Sequence, residues 1–362
     1  MRKIAGGLAA AVLVTGCAGL PSTPGASSPT ASPTTATATA TGTATASPSP
    51  TAPALQLEET FERVISQVLP SIVQITTATG LGSGVVYDDK GHIVTNAHVI
   101  GEATEVEVTL ATGGGSRMAK VVQSFPAGDL AVIKVEDSQS LRPATFGDSS
   151  KLRVGQLVLA MGNPLGLSGS VTNGIVSAVG RTVTEPQGSG SPGATIAGAI
   201  QTSAAINPGN SGGALVDMAG QVIGIPTLAA TDPSLGGGAA PGIGFAIPSN
   251  TATDITSQIV EHGRVINSHR AALGILGSTV IGEDGRPAGV GVRSVQANGA
   301  AAKAGIREGD VIVSVGGKET PTIAALTELL TGYKPGDKVE VEFVRNGDRQ
   351  KVTATLTELQ SG

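Results

Sequence analysis

The chain has no tryptophan, two tyrosines, five phenylalanines and a single cysteine in 362 residues, and only 14% of it is charged. One thiol, Cys17, cannot form an internal disulfide. Without Cys-x-x-Cys pairs, a His-Glu-x-x-His helix or a dense aspartate loop, no metal is expected, and no cofactor either. Lys and Arg number 23 against 28 Asp and Glu, giving a net charge of −5 with no basic cluster, which argues against nucleic acid as a partner. The longest apolar stretch falls short of the roughly 20 residues needed to span a bilayer. With aromatics this scarce, packing falls to Val, Ile, Leu and Ala.

The two ends of the chain carry their own signals. Met1-Arg2-Lys3 followed by an apolar run over 4–14 has the layout of a secretory signal. Cys17 follows Val14-Thr15-Gly16, a pattern that resembles a bacterial lipobox, so residues 1–17 are expected to be a lipoprotein signal and Cys17 the lipidated residue. Residues 18–55 are Ser, Thr, Pro and Ala-rich, with no apolar periodicity from which to build a core, and are expected to be a disordered tether. Leu57, Phe61, Val64, Ile65, Val68 and Leu69 then recur at helical spacing, and Pro70 stops the pattern.

Between there and about residue 262 the chain reads as many short β-branched runs separated by Gly, Pro, Asn or Asp, which argues for antiparallel barrels or sandwiches. Strands are expected at 83–87, 92–96, 105–110, 119–124, 130–135, 156–161, 170–179, 199–202, 213–216, 222–225 and 244–247. Ser211 lies in Gly209-Asn210-Ser211-Gly212-Gly213, where glycines allow a tight turn that exposes Oγ beside converging N–H groups. A serine hydroxyl needs a base and an oxyanion site before it can attack a carbonyl. His98, at the end of the apolar run 93–97, is the candidate base; His92, His262 and His269 read as ordinary surface or structural histidines. Asp129 opens the apolar run 130–135 and reads either as a buried partner of that base or as the residue closing the 126–128 turn.

Five motifs in order, Thr95-Asn96-Ala97-His98-Val99-Ile100, Asp129-Leu130-Ala131-Val132, Met161-Gly162-Asn163-Pro164, Ala204 through Leu215, and Gly244-Phe245-Ala246-Ile247-Pro248, resemble the HtrA serine proteases. The resemblance implies a mainly β chain: a chymotrypsin-like double β-barrel protease over 56–262, followed by an α+β PDZ domain over 263–359. It implies His98 as general base, Asp129 as its orienter and Ser211 as nucleophile, in the chain order His, Asp, Ser. The oxyanion hole is then expected at Gly209, Asn210 and Ser211, and the primary specificity pocket at Ala205 and Ile225. Since Ala205 carries no carboxylate, cleavage after small or medium aliphatic residues is expected rather than after Lys or Arg.

In the C-terminal region, Leu273-Gly274-Ile275 resembles the loop with which a PDZ domain accepts a peptide C-terminal carboxylate; alternatively, Gly274 serves only a tight turn. Expected partners are unfolded or misfolded polypeptides, peptide C-termini and, through Cys17, the outer face of the cell membrane, with a homotrimer implied by the family. Two Gly-rich loops, 185–197 and 227–241, are expected either to order on activation or to be simple surface insertions. Pro226 lacks an N–H and is expected to remove one donor from a substrate-pairing strand. A chaperone-like holder and a peptide-binding scaffold are the competing readings.

Overall fold

The computed structural model describes residues 52–78, 80–163, 169–185, 193–207, 209–232 and 238–359. The signal at 1–17, Cys17 and most of the tether lie outside the described residues.

Helix α1 (Ala52–Val68) turns Val64 and Val68 into the core. It begins before the sequence expectation, so Ala52, Pro53, Ala54 and Leu55 belong to the helix and not to the tether. Six strands then close a first barrel: β1 (Ile72–Thr76), β2 (Leu81–Val86), β3 (His92–Thr95), β4 (Glu105–Leu110), β5 (Arg117–Phe125) and β6 (Leu130–Val135), in the order β1-β2-β3-β6-β5-β4. In β4, Val106 and Val108 point inward while Glu105 and Glu107 face out, the period-two pattern of a strand wetted on one side. The one-turn helix α2 (Ala97–Ile100) leaves β3 and carries His98. β1 was not expected from sequence, because its short run adjoins the helix pattern without Gly or Asn to separate them.

The second barrel comprises β7 (Leu157–Gly162), β8 (Ser170–Glu185), β9 (Ala194–Thr202), β10 (Ala214–Asp217), β11 (Val222–Asp232) and β12 (Gly238–Pro248), ordered β10-β11-β12-β9-β8-β7. Several strands outrun their sequence estimates. β8 and β9 extend to Glu185 and from Ala194, and β11 and β12 reach Asp232 and start at Gly238. The strands therefore take up the ends of the first expected loop and most of the second, and what remains of each falls mostly outside the described residues. Barrels, not sandwiches, result because each sheet closes on itself and leaves no edge unpaired. One cluster that includes Val64, Val85, Leu130, Met161, Ala214 and Ile225 packs α1 and both barrels together. α3 (Ser249–His262) contributes Ala252, Ile255 and Ile259 to it and ends at Gly263, whose φ of +70° accommodates the left-handed cap.

The remaining elements are β13 (Ala271–Ala272), β14 (Ile275–Ile281), β15 (Pro287–Val295), α4 (Ala300–Lys303), β16 (Val311–Val315), β17 (Lys318–Glu319), α5 (Ile323–Leu330), β18 (Lys338–Arg345), β19 (Asp348–Thr355) and β20 (Thr357–Glu358). They enclose a separate core of Leu273, Val292, Ile312, Leu326, Val341 and Phe343. β14 forms one end of the sheet β14-β15-β16-β18-β19, while β13 pairs with β20 and ties the start of this region to its finish.

Candidate active site

β3 and β6 are paired, Thr95 opposite Ala131, so the segments leaving β3 and entering β6 lie side by side. The first carries His98 and the second Asp129. Asp129 has a φ of +52°, a left-handed conformation that Asp tolerates better than most residues, and its N–H donates to the Pro126 carbonyl (3.0 Å). Both sequence readings of Asp129 therefore describe it: the backbone closes the turn while the carboxylate turns inward, 1% exposed.

That carboxylate is within 3.0 Å (Oδ1) and 2.9 Å (Oδ2) of His98 Nδ1, and Oδ1 also accepts the His98 backbone N–H (3.0 Å). Its Oδ2 further accepts the hydroxyl of Thr227. Asn96 Nδ2 donates to the Asp129 carbonyl (2.9 Å), pinning the backbone of the same residue. With a carboxylate on Nδ1, the imidazole is oriented with Nε2 as its remaining basic position.

Ser211 enters from the second barrel, between Thr202 at the end of β9 and Ala214 at the start of β10. Its Oγ donates to the Thr227 carbonyl (3.1 Å). A hydroxyl has one proton, so this bond and one to an imidazole nitrogen exclude each other, and attack requires Ser211 Oγ to leave Thr227. Thr227 thus touches both the carboxylate and the serine. It opens the Gly-rich segment 227–241 expected as a loop, and a threonine in a strand carries no local signal of such a role.

Around Ser211, Gly209 has a φ of +109° and Gly212 one of +80°. A Cβ on Gly212 would lie 2.3 Å from the Ser83 carbonyl oxygen, so only glycine fits. Asn210 stands between the two expected donors, Gly209 and Ser211. Its N–H donates to the Asn207 carbonyl (3.2 Å), its Oδ1 accepts from Asn207 N–H (3.0 Å) and its Nδ2 donates to the Ala205 carbonyl (3.0 Å). Its donors are spent shaping the 205–207 wall, which leaves Gly209 and Ser211 as the oxyanion candidates.

Ala205 is exposed, with its carbonyl also held by Thr172 Oγ1 (2.9 Å). Ile225 requires a correction: it is 0% exposed within the shared core and offers no surface to a bound side chain. Pro226, expected to remove a donor, uses its carbonyl to accept Gly212 N–H (2.9 Å).

In the C-terminal region, Leu273, Gly274 and Ile275 lie together along a cavity of about 580 Å³ between β14 and α5, with Ile323, Leu326 and Leu330 on its helical side. Gly274 has a φ of +71°, and its carbonyl accepts from Gln296 N–H (2.9 Å). Arg270, at one end of this cavity, donates through Nη1 to the Ala127 carbonyl in the turn preceding Asp129. Burial pushes its guanidinium down to about 10, so it remains a cation at neutral pH. No residue gathered at either site forms a metal cluster among the described residues.

Residues 82–225 match the trypsin-like peptidase domain family and residues 272–356 the PDZ domain family. The chain is 43% identical over 284 residues to the periplasmic serine endoprotease DegP of Escherichia coli (strain K12), covering 76% of this chain and 56% of that protein. It is 42% identical over 285 residues to the serine protease Do-like HtrA of Lactobacillus helveticus, covering 74% and 66%. The chain thus spans a little over half the length of the first of these relatives. Among solved structures, the serine endoprotease from Yersinia pestis superposes with a TM-score of 0.54 at 34% identity, covering 83% of this chain and 98% of that one. An HtrA-type protease, AlgW, with a tripeptide gives 0.55 at 36% identity, with 83% and 98% covered.

Proposed function

The chain belongs to the HtrA-type serine proteases, and from that premise we propose that it is an exported, ATP-independent serine endopeptidase that cleaves unfolded or misfolded polypeptides. The observation that carries this reading is the Asp129 carboxylate on His98 Nδ1 (2.9 Å), with Thr227 linking it to Ser211. In the proposed reaction Ser211 Oγ turns from Thr227 to His98, which takes its proton as Oγ attacks the scissile carbonyl. The N–H groups of Gly209 and Ser211 receive the oxyanion. His98 returns the proton to the leaving amine, and water clears the acyl ester by the same route. Asp129 holds the imidazole and stabilises its charged form.

Substrate selection follows from Ala205. With no carboxylate there, the site favours small or medium aliphatic side chains before the cleaved bond. A peptide C-terminus bound along β14, its carboxylate at Leu273-Gly274-Ile275, regulates the protease. The open edge of β14 and the apolar groove beside α5 support strand addition there. The protease region is assigned to 56–262 with the rest of α1, and the PDZ region to 263–359. Export is supported by the periplasmic naming of the relatives. A lipid on Cys17, a tether from residue 18 to the start of α1 and a homotrimer complete the reading.

The experiment that tests it is hydrolysis of unfolded β-casein by the chain beside Ser211→Ala, with and without a peptide ending in a free apolar C-terminus. Cleavage that vanishes in the variant and rises with peptide is expected. Folded protein that cleaves nothing under either condition moves the assignment to a holder or scaffold.

A further inference from the structure

We propose that Ser83 is a positioning residue that latches the oxyanion-forming backbone of the nucleophile loop from the opposite barrel; the inference rests on the serine-protease reading above. Ser83 lies in β2 between Gly82 and Gly84 and is 0% exposed. Its Oγ donates to the Gly209 carbonyl (2.5 Å), and its N–H donates to the Ser211 carbonyl (2.9 Å). From the second barrel, Asn163 N–H donates to the same Oγ (2.9 Å). Thr95 Oγ1, three residues before His98, donates to the Ser83 carbonyl (2.6 Å).

The direction of these bonds is not open to choice. A carbonyl can only accept and a backbone N–H can only donate, so the hydroxyl proton must sit on the Gly209 side. Each peptide unit is planar and trans, so fixing a carbonyl fixes the whole unit. Ser83 Oγ fixes the unit joining Gly209 to Asn210, and Ser83 N–H fixes the one joining Ser211 to Gly212. The unit bearing the Ser211 N–H lies between those two, and the Gly209 N–H lies just before the first. At a φ of +109°, Gly209 is otherwise the residue most free to swing, because no Cβ restrains it. A single residue, through its hydroxyl at Gly209 and its backbone N–H at Ser211, thus removes the freedom that the loop's glycines create, and does so from the barrel that carries His98.

A purely structural serine would cost stability when removed but would leave turnover intact in the molecules that remain folded. The test therefore compares Ser83→Ala, Ser83→Cys and Ser83→Thr with the control Ser249→Ala. Ser249 is equally buried and donates to the Gly147 carbonyl (2.7 Å), remote from the loop. The probes are a chromogenic peptide with an aliphatic residue before the scissile bond, a peptide boronic acid that forms a tetrahedral adduct, and a fluorophosphonate that labels the nucleophile. Deleting an oxyanion donor outright costs about 100- to 1,000-fold in kcat, so a mispositioned donor is expected to cost about 10- to 100-fold in Ser83→Ala. KM should stay within about threefold and boronate affinity should fall by the same factor as kcat. Ser83→Cys, with a weaker donor, should fall between, Ser83→Thr should restore turnover, and Ser249→Ala should keep full kcat despite a lower Tm.

Wild-type kcat and boronate affinity in Ser83→Ala, or an equal loss in Ser249→Ala, overturns the proposal. If Ser83→Ala does not fold, unchanged turnover in Ser83→Cys does the same. A wild-type protein that neither reacts with the fluorophosphonate nor cleaves peptide overturns the serine-protease reading, and this inference with it. Normal wild-type turnover beside an unaffected Ser83→Ala overturns the inference alone.

Discussion

Thr227 donates its hydroxyl to Asp129 Oδ2, the oxygen that also lies 2.9 Å from His98 Nδ1. A buried carboxylate is stabilised by each donor it accepts, and Thr227 is a neutral one that holds it without competing for the charge of His98. Thr227→Val preserves shape while deleting that donor. The expected result is a fall in kcat of about 3- to 30-fold with KM little changed, since the loss acts on the orientation of the imidazole and not on substrate contacts. Steady-state kinetics on a short peptide checks it, and a change confined to KM would contradict the role.

The nucleophile loop lies against β7 so closely that a Cβ on Gly162 would come within 2.5 Å of Asn210 Cα and 2.9 Å of the Gly209 carbonyl oxygen. Backbone atoms cannot yield as a side-chain tip can. Gly162→Ala is therefore expected to fold with a Tm lowered by several degrees and to lose at least about tenfold in fluorophosphonate labelling rate, because the loop itself must move. Labelling at the wild-type rate would show that the loop tolerates displacement.

How far the sequence discloses this site depends on the residue. His98 and Ser211 stand out because their flanks are unusual: a strand ending in small residues, and three glycines in the five residues 209–213 around the serine. Asp129 is legible as a charge at the mouth of an apolar strand. Thr227 is not: it falls at a register shift between Pro226 and Leu228, but nothing local ties it to Asp129, 98 residues earlier. The same limit applies to Ser83, whose partners Gly209 and Asn163 lie 126 and 80 residues away. Strands bounded by Gly or Asp were located well, whereas β1 and α3 lacked such punctuation or carried polar residues in their buried faces, as with Thr256 and Gln258. Ile225 was misplaced for a related reason: alternation along a strand says which residues share a face, not whether that face lines a pocket or a core.

Ala205 is exposed and sits in a wall whose carbonyl is fixed by Asn210 and Thr172. Placing a carboxylate there supplies the charge that Lys and Arg side chains would need. Ala205→Asp is expected to admit cleavage after Lys and Arg and to reduce cleavage after aliphatic residues by about tenfold or more, as seen in a peptide-library digest. An unchanged cleavage profile would separate Ala205 from substrate selection.

Arg270 spans two regions: its backbone carbonyl accepts Leu359 N–H (2.8 Å) at the start of the C-terminal region, while Nη1 holds the Ala127 carbonyl beside Asp129. No carboxylate pairs with it among the described residues, so a partly desolvated cation stands at the end of the β14–α5 cavity. A free peptide C-terminus would supply the missing negative charge. Fluorescence anisotropy is expected to show an apolar peptide with a free carboxylate binding at least about tenfold more tightly than its amide. In Arg270→Gln that difference should narrow; amide and acid binding equally to the wild type would remove Arg270 from the site.

Asp310 is 1% exposed and receives both Nε and Nη2 of Arg345 at 2.7 Å, together with the Arg307 N–H at the same distance. Burial alone pushes its carboxyl up, but these donors outweigh burial and hold it below the ordinary carboxylate value of 3.8. A carboxyl depressed in the folded state binds fewer protons there than in the unfolded chain. Its stabilisation is therefore complete above the unfolded value and drains away as pH falls through the lower, folded one. Asp310→Asn removes that linkage while also leaving Arg345 without its anion. At pH 7 the variant is expected to unfold its C-terminal region several degrees below wild type in calorimetry. The gap should begin to narrow only as pH falls below the unfolded value of 3.8, and the two melting curves should converge once pH passes the lower, folded value and the wild-type carboxylate is itself protonated. A gap that stays constant into strong acid would mean that the ion pair contributes shape alone and that its charge is immaterial to the fold.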